Sequence, residues 1–76
     1  MTAKAYVLME IQSGKTKQVV EAIRKLQRVV SVDAVTGPYD AIAIIQGESL
    51  NDLGELIVSE LHHVPGISRT VICMAL

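Results

Sequence analysis

Tyr39 and Asp40 stand side by side in Gly37-Pro38-Tyr39-Asp40, a segment between two apolar, β-branched runs. A carboxylate there can accept charge-assisted hydrogen bonds from a cation such as an α-ammonium group. Gly37 lets the main chain approach a ligand closely, so that backbone donors can reach an anion. One of the two aromatic rings in the chain lies at the same spot. The same four residues also suit a turn: glycine tolerates positive φ, proline presets φ, and aspartate bonds nearby backbone amides. Both readings stand at this point. Tyr39 covers either the hairpin or a ligand, and Asp40 serves either loop amides or an ammonium group.

Other reactive groupings carry less. Ser13-Gly14-Lys15-Thr16 has the form of the end of a phosphate-binding loop, but Met9 occupies the place of its first glycine. Without that arc the backbone donors for a triphosphate are missing, and the segment reads as a helix entry. His62 and His63 are adjacent, so on a helix they diverge by about 100° and cannot share one metal ion. Their place near a helix C-terminus suits the macrodipole instead. Cys73, the single cysteine, sits in an apolar run and reads as a small hydrophobe. Asp33 reads as a solvent-facing charge near a sheet edge. No catalytic residue, metal site or cofactor is expected.

These residues must be positioned by a small domain. The chain has 76 residues, half of them hydrophobic, with no Phe or Trp, so Val, Ile, Leu, Ala and Met must form the core. Chains of this size bury a limited share of their surface and often need a disulfide, a metal or a partner copy. One cysteine excludes an internal disulfide, which leaves oligomerisation. The net charge is −1, with acids and bases mixed and no basic stripe for nucleic acid. No apolar run approaches the ~20 residues of a membrane span, and the expected location is the cytoplasm.

The pattern predicts a strand over Tyr6–Ile11, a helix over Lys15–Gln27, a strand over Val29–Thr36 and a strand over Ala41–Gln46. A second helix follows Ser49, with Leu50, Leu53, Ile57 and Leu61 as its apolar stripe and Ser49-x-x-Asp52 as an approximate capping box. Pro65-Gly66 ends it, and Ile67–Leu76 form the last strand. Leu26-x-x-Val29-x-x-Val32 and Leu61-x-x-Val64-x-x-Ile67 repeat apolar residues at equal offsets, each leading from helix to strand. Two βαβ halves give an α+β, ferredoxin-like βαββαβ sandwich with a four-stranded antiparallel sheet. Strands one, three and four are continuously apolar rather than alternating, so both faces of the sheet need cover. Sheet-to-sheet pairing with another copy supplies it.

Val35-Thr36-Gly37-Pro38-Tyr39-Asp40, followed by a strand, a helix and Val64-Pro65-Gly66-Ile67-Ser68-Arg69-Thr70, resembles the effector (RAM) domain of the Lrp/AsnC transcription regulators. The resemblance covers essentially residues 1–76 as a single domain. It implies a dimeric α/β-barrel-like assembly through the sheet, rings of dimers, and small effectors, usually amino acids, held between dimers. The effector contacts it implies are Gly37, Tyr39 and Asp40 on the hairpin, and Thr70 and Ile72 on the last strand. The family more often has a polar residue where Ile72 stands, which favours an effector with an apolar side chain. The regulators begin with a helix-turn-helix, whereas this chain opens directly in a strand. A stand-alone sensing domain without direct DNA binding is therefore expected, with a full-length regulator as a possible partner.

The expected function is non-enzymatic, oligomeric amino-acid sensing that modulates transcription or amino-acid metabolism. The alternatives are a small dimeric ferredoxin-like monooxygenase-type enzyme and a structural oligomeriser without ligand. Only Tyr6 among the sheet residues suits the enzyme reading.

Overall fold

The computed structural model describes residues 2–76; Met1 of the expected 1–76 domain lies outside them. The elements run β1 (Ala3–Ile11), α1 (Thr16–Arg24), β2 (Val29–Ala34), β3 (Ala41–Gly47), α2 (Leu50–Ser59) and β4 (Ile67–Met74), with a 3-10 turn at Leu61–His63. All strand pairs are antiparallel, in the order β2-β3-β1-β4. This is the ferredoxin-like βαββαβ sandwich.

Residue parity divides the sheet. Ala5, Val7, Met9 and Ile11 of β1, Val32 of β2 and Ala41, Ala43 and Ile45 of β3 are buried. They meet Val19, Val20 and Ile23 of α1 and Leu53, Leu56 and Ile57 of α2 in one core. Successive side chains on a strand point to opposite faces, so Tyr6 and Leu8, Ile42 and Ile44, and Val71 and Cys73 stand on the face away from the helices. The register brings them together: Tyr6 lies between Ile44 and Cys73, and Leu8 between Ile42 and Val71. Around this apolar centre lie Lys4, Glu10, Ser31, Asp33, Gln46 and Arg69. Asp33 is exposed on the edge strand, as expected.

Both helices are shorter than their periodicity suggests. After Arg24 the chain tightens, with Leu26 N donating to Ile23 O at 3.0 Å and Val29 N to Leu26 O at 3.2 Å. These turns deliver Val29 into register with Ile45. The register then shifts, leaving Val30 as an unpaired residue that is 58% exposed. On α2 the apolar stripe differs from the one expected. Leu56 is fully buried, whereas Leu50 is 59% exposed. A face built on the i, i+3, i+4 set Leu53, Leu56 and Ile57 leaves Leu50 at its margin, in the first turn.

The helix N-terminus is capped as the sequence suggests, with one change. Ser49 Oγ accepts from Asp52 N at 3.1 Å. Asp52 Oδ2 reaches one residue further back than a full capping box and accepts from Glu48 N at 3.0 Å. Asp52 also forms an ion pair with Arg28 at 3.2 Å. Gly14 and Lys15 form a helix entry, with Lys15 N donating to Gln12 O at 3.0 Å. Gly66 has φ of +102°, and a Cβ there would come within 2.9 Å of Val19 Cγ2. Only glycine suits this approach of the last loop to α1.

Candidate functional site

The hairpin connection is longer than a tight turn. β2 ends at Ala34 and β3 begins at Ala41, so the six residues 35–40 form a loop. It is closed by Val35 N donating to Asp40 O at 3.0 Å. Gly37 adopts φ of +140°, a conformation that side chains beyond glycine rarely take. Pro38 is exposed at the tip, and Tyr39 and Asp40 are half-buried behind it.

Asp40 is bound to the end of β1. Its backbone N donates to Met9 O at 2.8 Å, and its Oδ2 accepts from Ile11 N at 2.8 Å. β1 pairs with β3 only as far as Met9↔Ala41, so the Ile11 amide has no partner on β3. The carboxylate takes the place of the missing strand. The turn-serving role weighed from sequence is thus present. It occupies one carboxylate oxygen; Oδ1 receives no hydrogen bond among the described residues and remains able to accept one.

Thr70 and Ile72 lie across β1 from the hairpin. Thr70 pairs with Met9 and Ile72 with Val7. Both are half-buried, and Ile72 packs against the core. Two strand spacings, about 10 Å, separate β3 from β4 at this level. Within one subunit the structure therefore brings Gly37, Tyr39 and Asp40 together, and Thr70 and Ile72 together, but does not merge the two groups.

Thr70 opens onto a cavity of about 280 Å³ that it lines with His62, Ile67, Ser68 and Arg69. Sequence reasoning missed His62, Ser68 and Arg69 as neighbours of this strand start. Their signal is the loop Val64-Pro65-Gly66, which folds the His62 turn back against the first residues of β4. Arg69 is held by Glu10 across the sheet at 3.3 Å, and its side chain is 67% exposed. Guanidinium, imidazole and hydroxyl groups at one small cavity offer donors to an anion such as a carboxylate. The hairpin offers an acceptor, the carboxylate oxygen of Asp40 that Ile11 does not occupy.

A sequence model of the family described as "Lrp/AsnC ligand binding domain" matches residues 4–76. The HTH-type transcriptional regulator FL11 of Pyrococcus horikoshii is 32% identical over 69 residues, 87% of this chain and 43% of that protein. The chain spans about half the length of the curated relatives it matches, at 47% of an uncharacterized HTH-type transcriptional regulator of Pyrococcus furiosus, for example. The crystal structure of hypothetical protein PHS023 from Pyrococcus horikoshii superposes with a TM-score of 0.92 at 29% identity, covering all of this chain and 90% of that one. The fold also matches a transcriptional regulator from Neisseria meningitidis, solved as an L-Met complex, with a TM-score of 0.86 at 18% identity. That match covers 97% of this chain and 49% of the other.

Proposed function

Because this chain belongs to the Lrp/AsnC ligand-binding domain family, we propose that it senses a free amino acid without catalysing a reaction. In this reading it modulates transcription or amino-acid metabolism, in company with a full-length regulator of the family. Two copies pair through the apolar sheet face, and the effector lies between such dimers. Gly37, Tyr39 and Asp40 of one subunit meet Thr70 and Ile72 at the start of β4 of another.

The separation of Asp40 from Thr70 on either side of Met9 carries this reading. An amino acid bears its ammonium and carboxylate on one carbon, too close together to reach both groups of residues in one subunit. A second copy completes the site. The free oxygen of Asp40 accepts from the ammonium group, and Thr70 and Arg69 of the other subunit donate to the carboxylate. Charge-assisted bonds of this kind contribute roughly 1.5–3 kcal/mol each. Ile72 biases the choice toward an apolar side chain, by only about 1–3 kcal/mol per methylene of fit. The L-Met complex of the Neisseria protein supports an amino acid as the ligand class.

A thermal-shift screen of the twenty amino acids tests this, because a ligand of the folded state stabilises it by RT ln(1 + [L]/Kd). Calorimetry on Tyr39→Ala and Asp40→Asn with the amino acid that shifts the melting temperature then locates the site. The expected result is weaker binding in both variants. No shift with any amino acid at millimolar concentration favours the structural oligomeriser instead.

A further inference from the structure

Acids and bases are mixed in number but segregated in space. Five of the seven basic residues lie between positions 15 and 28 with Glu21 as the one acid among them, whereas positions 29–68 hold six of the eight acids and no Lys or Arg. The first segment is α1 and its flanks; the second contains α2 with Glu48, Asp52, Glu55 and Glu60. Both helices cover the same face of the sheet, so that one layer presents a basic strip beside an acidic strip.

The acidic strip is also partly apolar. Leu50 and Val58 on α2 are 59% and 64% exposed. Gly54 lies between them on the same i, i+4, i+8 row, with open space where a Cβ would stand. The result is a groove of about 550 Å³ lined by Gly54, Glu55, Val58 and Ser59. A glycine inside a helix costs stability relative to alanine, and no packing contact among the described residues requires one here.

We propose that the helix layers of two copies pack face to face, with the α1 row Lys17-Glu21-Lys25 of one seated in the groove between the Leu50-Gly54-Val58 and Asn51-Glu55-Ser59 rows of the other. All of these rows are i, i+4 ridges, which interdigitate in the commonest helix packing. The lysine stems cover the apolar groove while their ammonium groups reach Glu55 and its acidic neighbours. A two-fold axis running along the helices places each basic strip over an acidic strip, so the contact forms twice. An axis across the helices would set like charge on like charge. This contact goes beyond the sensing role and leaves the sheet face free for its own pairing.

The test is sedimentation velocity at low and high ionic strength on five chains: wild type, Lys17→Glu with Lys25→Glu, Glu48→Lys with Glu55→Lys, Gly54→Gln, and Leu8→Lys. At low ionic strength and with no amino acid added, so that the effector-bridged contact between dimers is not engaged, the wild type is expected to exceed the sheet-paired dimer and to fall back to it in high salt, where exposed charges are screened. Each charge-reversed chain alone is expected to stop at the dimer, and an equimolar mixture of the two to regain the larger species. Gly54→Gln fills the groove with a good helix former, so its melting temperature should hold or rise while the larger species is lost. Leu8→Lys separates the two contacts: salt-sensitive association that survives loss of the sheet dimer supports the helix contact. A wild type with no species beyond the dimer, assembly indifferent to salt or to Gly54→Gln, or a mixture that does not recover would overturn the proposal.

Discussion

The Asp40 carboxylate accepts the Ile11 amide at 2.8 Å, closing the end of β1 where β3 has already turned away. The hairpin tip is therefore fastened to the central part of the sheet by a charged acceptor. A ligand that uses the other oxygen would meet a group whose position is already set, which spares the cost of ordering it on binding.

Asp40→Ala should lower stability by about 1–3 kcal/mol, since a buried or half-buried amide loses a charged partner. In a domain of this size each kcal/mol moves Tm by about 4–8 °C. Asp40→Asn keeps a carbonyl acceptor and should lose less. Thermal melts of the three chains decide it; equal Tm values would show that water serves Ile11 as well as the carboxylate does.

Two glycines should respond oppositely to alanine. At Gly66, φ of +102° and a Cβ within 2.9 Å of Val19 Cγ2 predict a loss of about 1–3 kcal/mol. At Gly54, with no atom of the described residues within 4 Å of the added Cβ, the helix should gain about 0.5–1 kcal/mol. Urea denaturation of both variants checks the contrast, and a loss at both sites would refute the open groove on α2.

The architecture was legible because the strand patterns broke the alternation that a one-sided sheet requires, and because Ser49 opens the second helix; that helix stops at Ser59, ahead of a 3-10 turn, rather than at Pro65-Gly66. The inward and outward sets on β1, β3 and β4 follow from parity alone. Leu50 was misjudged because a row at its margin fits the same spacing as the buried one, and only the packing of Leu56 decides between them. The role of Asp40 toward Ile11 depends on β1 outrunning β3 by two residues, a difference in strand length that neither run of residues encodes locally. The cavity beside Thr70 escaped for a similar reason: His62 and Arg69 are brought together by the fold-back at Gly66. The charge strips were visible in the sequence, but an overall balance of −1 conceals them.

The chain of residues 1–76 should show no salt-sensitive affinity for duplex DNA. Its basic residues around α1 are matched by an acidic strip on the same layer, and the net charge is −1. Phosphate-driven binding depends on neutralising many phosphates at once. Fluorescence anisotropy at physiological salt checks this, and sub-micromolar binding to any duplex would contradict it.

Leu8→Lys should dissociate the sheet-paired dimer while leaving the subunit folded. Leu8 lies on central strand β1, between Ile42 and Val71 and away from the helix core. In a lone subunit a lysine there can extend into water, so helix and strand content should persist by circular dichroism. In the dimer the ammonium group would be pressed into the apolar centre of the sheet face, which costs several kcal/mol. Every 1.4 kcal/mol is tenfold in Kd, so the dissociation constant should rise by about a hundredfold or more. Gln46→Lys, at the polar rim, keeps its charge in water and should leave the dimer intact. Sedimentation equilibrium on the two variants and the wild type tests the contrast. A Leu8→Lys chain as dimeric as the wild type would show that the apolar sheet face is not where the copies meet.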